Sequence, residues 1–117
     1  MQKINENKSK ATFIVVPRFN MATLVSLIEP MRVANYLSSS DLYSWEIASF
    51  EGSNIVASNG MSVSAVLPLE KIKRQDLIFI VGSWGCEHYA RKELTAWVRK
   101  QYSLGARICS VELGCYI

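Results

Sequence analysis

Residues 105–117 read GARICSVELGCYI, and this closing stretch decides the fold. Ile108 to Val111 form an apolar run of β type. Then come Glu112, Leu113, Gly114 and the start of another apolar stretch. That is the outline of a nucleophile elbow, a tight strand-to-helix turn that lifts one side chain above a parallel sheet. Elbows commonly present Ser or Cys. This one presents a carboxylate, which cannot do the same chemistry. The sequence stops at Ile117, so the fold is expected to be truncated on its C-terminal side.

Working outward, two more runs have the same buried, parallel-strand character: Ala11 to Val16, ending at Pro17, and Asp76 to Val81, ending in Gly82-Ser83-Trp84-Gly85. Asn20 opens a helical pattern that carries Leu24, Val25, Ile28, Met31 and Tyr36 through to Leu37. Pro30 interrupts it and removes one helical hydrogen bond. Tyr43 to Phe50 alternates as a strand. Asn54 to Ala57 and Met61 to Val66, joined by Ser58-Asn59-Gly60, read as a small hairpin. Leu67 to Gln75 reads as a connection with room for a helical turn. Cys86 to Tyr102 reads as one helix with an apolar stripe of Tyr89, Leu94, Trp97, Val98 and Tyr102, stopped at Gly105. Strands alternating with helices predict an α/β fold, a parallel sheet covered on both faces. Ligands in such folds bind at the carboxyl ends of strands. Three such ends stand out: Pro17-Arg18, Gly82-Ser83-Trp84 and Glu112-Leu113.

Composition narrows the function. The chain has 117 residues, half of them hydrophobic and a fifth charged, which suits one domain with a core. Residues 1–10 read as a flexible polar leader without the apolar centre of a signal peptide, and residues 11–117 as the domain. No stretch approaches a membrane span. The net charge of +3 is mild and its bases are scattered, apart from Lys71 to Arg74, so nucleic acid is a poor partner for this segment. Three cysteines without a CxxC argue against a disulfide framework and structural zinc, and for a reducing cytoplasm. His88 is the single histidine, which excludes a multi-histidine metal site within the chain, and no motif calls for a cofactor.

Several residues could carry chemistry. Free backbone N–H groups at Gly82-Ser83-Trp84-Gly85 could bind an anion, although the motif is too short for a dinucleotide or P-loop fingerprint. Cys86 and His88 look like nucleophile and base, but residues two apart on a helix do not share a face. Cys109 reads as a buried small hydrophobe, and so does Cys115. Glu29 and Arg32 suit a helical ion pair, or a ligand clamp at the proline kink. Glu112 would either accept hydrogen bonds that stabilise its turn or serve a ligand.

Four segments together resemble the ThiJ/PfpI-type domain, related to class I glutamine amidotransferases. More narrowly, they resemble the version at the N-terminus of GlxA-like AraC-family transcription regulators. The segments are FIVVPRFN (13–20), LIEPMRVAN (27–35), LIFIVG (77–82) and Gly105 to Tyr116, with Glu-Pro-x-Arg-x-Ala-Asn the most specific stretch. The resemblance implies a flavodoxin-like α/β sandwich. The family's enzymes use a cysteine at the elbow and an acid four positions before the helix proline. In this sequence those positions hold Glu112 and Ser26, so the resemblance implies a domain that kept the pocket and lost the reaction.

The expected function is a non-catalytic domain that senses a small metabolite and forms a homo-oligomer. DNA would be reached only through a C-terminal helix-turn-helix domain. The expected pocket comprises Glu29, Arg32, Gly82, Ser83, Trp84, Glu112 and Leu113. Glu112 would act as acceptor or counter-charge, and Trp84 as a cation–π face for an amine. The alternative is an active ThiJ/PfpI-like hydrolase or amidotransferase-type enzyme using Cys86 or Cys115. A third reading is a dimerisation module without a ligand.

Overall fold

The computed structural model describes residues 8–50, 52–65 and 67–117. Its frame is a five-stranded parallel sheet in the order β5-β2-β1-β6-β7. The strands are β1 (Ser9–Val15), β2 (Tyr43–Ser49), β5 (Leu67–Pro68), β6 (Leu77–Gly82) and β7 (Arg107–Glu112). The short strands β3 (Ile55–Val56) and β4 (Ser62–Val63) form a separate antiparallel hairpin. The helices are α1 (Met21–Ser38) and α2 (Lys92–Ser103).

The apolar runs at β1 and β6 are continuous because both sheet faces are covered. Along β1, Ala11, Phe13 and Val15 join Leu24 of α1 in one core cluster. Ile14 points the other way and joins Leu94 of α2, with Ile78 and Ile80 from β6. Phe13 and Phe79 are register partners whose rings stack at 4.9 Å, locking β1 to β6.

α1 begins where the sequence places it. Asn20 caps it, its Oδ1 accepting from the Ala22 and Thr23 N–H groups. Pro30 lies inside it, and Ser39 ends it in the left-handed conformation. Leu24, Ile28 and Met31 pack on the core, whereas Val25 and Tyr36 face outward. The hairpin loop is Ser58-Asn59-Gly60. Gly60 N–H donates to the Ala57 carbonyl, and the glycine's φ of 87° closes the turn.

Four expectations need correction. β1 starts at Ser9, so residues 9 and 10 belong to the sheet rather than to a leader; residues 1–7 lie outside the described residues. The stretch from Leu67 holds an edge strand, β5, as well as the 3-10 turn Leu69–Lys71. Only two residues of β5 pair with β2, too few for periodicity to show. Pro68 sits where a strand without a neighbour beyond it tolerates a missing N–H. The expected helix from Cys86 is two elements: a 3-10 turn, Cys86–Tyr89, and then α2, with Ala90 and Arg91 non-helical between them. Finally, Tyr102 is exposed. Gln101 takes the fourth place on the α2 stripe after Leu94, Trp97 and Val98, and its Oε1 accepts the Gln75 backbone N–H at 3.0 Å. A buried N–H needs a partner, and the Gln101 amide oxygen supplies it.

Candidate functional site

The carboxyl ends of β1, β6 and β7 lie side by side, with the chain leaving β1 toward β2 on one side and β6 on the other. This is the switch point where open α/β sheets bind ligands. A cleft of about 570 Å³ opens there, lined by Arg18, Asn20, Ser58, Ser83, Trp84, Glu112 and Leu113.

Glu112 ends β7 with φ 51° and ψ −122°, and the 3-10 turn Leu113–Tyr116 follows at once. The elbow is therefore present, and its central residue holds a backbone conformation that costs about 1–3 kcal/mol for a residue with a Cβ. Two glycines let it sit close to β6. A Cβ on Gly114 would lie 2.3 Å from the Ile80 carbonyl oxygen. One on Gly82, the register partner of Glu112, would lie 3.1 Å from the Cys86 Cβ. Arg18 also has positive φ, at 66°, with its N–H bound to the Val56 carbonyl. Of three such non-glycine residues among those described, two line this cleft, where strain commonly marks a working site.

The Glu112 carboxylate is tied to the start of α1. Its Oε1 accepts from Thr23 Oγ1 at 2.7 Å and from Asn20 Nδ2 at 3.1 Å. Bonds to an ionised acceptor are short and strong, and a carboxylate at a helix N-terminus also meets the positive end of its dipole. Oε2 has no protein donor among the described residues. Ser83 to Cys86 form a turn in which the Cys86 N–H donates to the Ser83 carbonyl and Gly85 takes φ 85°. That turn leaves Trp84 85% exposed at the cleft.

Of the expected pocket residues, the fold brings together Ser83, Trp84, Glu112 and Leu113. Gly82 lies beneath them as packing. Glu29 and Arg32 are not among the residues lining the cleft. They face solvent on α1 as an i,i+3 ion pair, in which Arg32 Nε donates to Glu29 Oε1 and Oε2 at 3.0 and 2.9 Å. Hydrogen bonding from Arg32 holds the Glu29 carboxyl below its ordinary pKa. Sequence reasoning missed Thr23, Asn20 and Ser58 as site residues. Asn20 was readable as a cap, but its second role depends on a partner 92 positions away.

Ser26 Oγ donates to the Thr23 carbonyl of its own helix. Cys86 is buried beneath the elbow, with its thiol on the Leu113 carbonyl at 3.1 Å. Burial, with help from the Glu87 charge, pushes that thiol's pKa up. Cys115 is exposed. Among the described residues no cluster of His, Cys, Asp and Glu is arranged to hold a metal ion.

The fold matches solved structures. An AraC family transcriptional regulator from Pseudomonas putida superposes with a TM-score of 0.81 at 20% identity, over 92% of this chain and 66% of that one. A ThiJ/PfpI family protein from Pseudomonas syringae superposes with a TM-score of 0.70 at 13% identity, over 98% and 50%. In sequence, the HTH-type transcriptional regulator CdhR of Pseudomonas aeruginosa is 35% identical over 105 residues. The chain has the fold of ThiJ/PfpI proteins and is similar in sequence to HTH-type transcriptional regulators. No family model matches it. The ThiJ/PfpI-like chain spans 31% of CdhR, and 90% of its own length is matched. Among the described residues of this domain, no helix is long and apolar enough to cross a membrane.

Proposed function

We propose that this ThiJ/PfpI-like domain senses a small metabolite for a transcription regulator and catalyses no reaction. The observation that carries the reading is Glu112. The elbow keeps its strained backbone and its cleft, yet the side chain it presents is a carboxylate hydrogen-bonded to Thr23 and Asn20. A thiolate attacks and leaves readily, whereas a carboxylate in this seat binds charge. The second catalytic position, Ser26, is bonded to its own helix.

The ligand we assign to the cleft is a protonated or quaternary amine. Glu112 supplies the counter-charge through its open Oε2, and the exposed Trp84 ring supplies a cation–π face. DNA contact belongs to a helix-turn-helix region of the whole regulator. Here α1 and α2 are separated by five strands and form no such pair. Self-association is part of the same reading.

The alternative, an active cysteine hydrolase, would need Cys86 or Cys115 as nucleophile. Cys86 has the wrong environment, buried with its thiol pKa raised. Calorimetry with choline as a quaternary-amine probe, beside its uncharged dimethylbutanol isostere, tests the reading. The charged compound should bind more tightly. Equal binding or none for both would count against it.

A further inference from the structure

The sheet end opposite the Glu112 cleft gathers bases that the sequence spreads over two segments. Residues 73–77 lead into β6, and residues 100–107 run from the last turn of α2 into β7. Gln75 clamps the two together. Its backbone N–H donates to Gln101 Oε1 at 3.0 Å, and its side-chain amide donates to the Lys73 carbonyl at 3.0 Å. Beside that clamp the Arg107 N–H donates to the Asp76 carbonyl at 2.8 Å. A Cβ on Gly105 would lie 3.6 Å from Arg74 Nη2. Lys73, Arg74, Lys100 and Arg107 therefore share one end of the domain, and all four are exposed.

These four bases carry the chain's excess charge. Thirteen bases stand against ten acids in the whole chain; setting aside the four and Asp76, the acid among them, leaves nine of each. They are also not neutralised. At the same sheet end, Lys8 and Lys10 pair with Asp41 and Glu46 at 3.4 and 3.3 Å, whereas none of the four has an ion-pair partner among the described residues. Like charges held together raise the local potential and attract a polyanion. In the proposed transcription role, the polyanion within reach is duplex DNA. We infer that this patch docks on the phosphate backbone of duplex DNA. Such a contact positions a protein without reading sequence, and so leaves base recognition to the helix-turn-helix region. The inference rests on the transcription reading and adds a second surface, at the far end of the sheet from the amine cleft.

Fluorescence anisotropy of the chain with a labelled duplex of mixed sequence, titrated with salt, tests it. Affinity should fall as salt rises, with a log–log slope of about −3 to −4 if all four bases meet phosphates. Arg107→Gln should make that slope shallower by about 1. Arg74→Glu should weaken binding at least fivefold. Lys92→Glu makes the same charge step at the start of α2, the other end of the helix, and should weaken it less than twofold. Equal losses for Arg74→Glu and Lys92→Glu overturn the patch. So does a chain that binds choline but no duplex, and that result leaves the sensing role standing. Poly-glutamate bound as tightly as the duplex overturns DNA as the partner in favour of an acidic protein surface. A chain that binds neither duplex nor choline overturns both readings.

Discussion

Thr23 in the first turn of α1 donates a hydrogen bond of 2.7 Å to Glu112 at the end of β7, across 89 positions of sequence. That bond joins the elbow to the helix that the sheet packs on its other side. A ligand that draws on the Glu112 carboxylate therefore acts on the same group that anchors α1. Site and helix share one acceptor.

Removing the donor should loosen the joint. Thr23→Ala is expected to cost about 1 kcal/mol of stability, the net worth of one hydrogen bond at a partly open position. Asn20→Ala should cost more, up to about 2 kcal/mol, because it takes away the helix cap as well. Urea unfolding of the two variants measures both, and equal or negligible losses would show that the elbow does not depend on α1.

Backbone strain at the elbow gives a reversal of the ordinary ranking. In a strand alanine is commonly more stabilising than glycine, but at φ 51° it is not. Glu112→Gly should therefore be more stable than Glu112→Ala by about 1 kcal/mol. Thermal melts of the pair decide it, and alanine as the more stable variant would contradict the strained geometry.

The two packing glycines should differ in severity. Gly114→Ala drives a Cβ against a backbone carbonyl that cannot rotate away and is expected to cost about 3 kcal/mol. Gly82→Ala meets the Cys86 side chain at 3.1 Å and should cost about 1 kcal/mol. Chemical denaturation of both gives the order directly.

The cysteines should label unequally. The Cys86 thiol is buried with its pKa raised, so little of it is thiolate near neutral pH, and its reaction should accelerate only as pH rises past the ordinary thiol range. Exposed Cys115 should react first. Mass spectrometry after iodoacetamide treatment reads the order. Fast labelling of Cys86 at pH 7 would revive the cysteine-enzyme alternative.

The sequence carried much of this architecture on its face. β1 and β6 are continuous apolar runs because helices cover both sheet faces, and the elbow is legible because a turn so tight needs Gly114. Asn20 announced α1 as its cap. What sequence reading missed depends on distant partners. β5 exists only through its pairing with β2, and Gln101 rather than Tyr102 turns inward, where it satisfies the Gln75 N–H. Asn20, Thr23 and Ser58 join Glu112 at the cleft only once the start of α1, the strand ends and the hairpin are assembled. Glu29 and Arg32 went the other way: their helical spacing showed the ion pair, and the family motif drew them toward a pocket they do not line.

The central claim is that Glu112 serves as a counter-charge and not as a displaced nucleophile. Calorimetric titration of choline into the unaltered protein and into Glu112→Gln tests it most directly. The glutamine keeps the shape of the side chain and removes its charge. Choline affinity should fall at least tenfold in Glu112→Gln, with binding of the uncharged isostere unchanged. Equal choline affinity in the two proteins would contradict it.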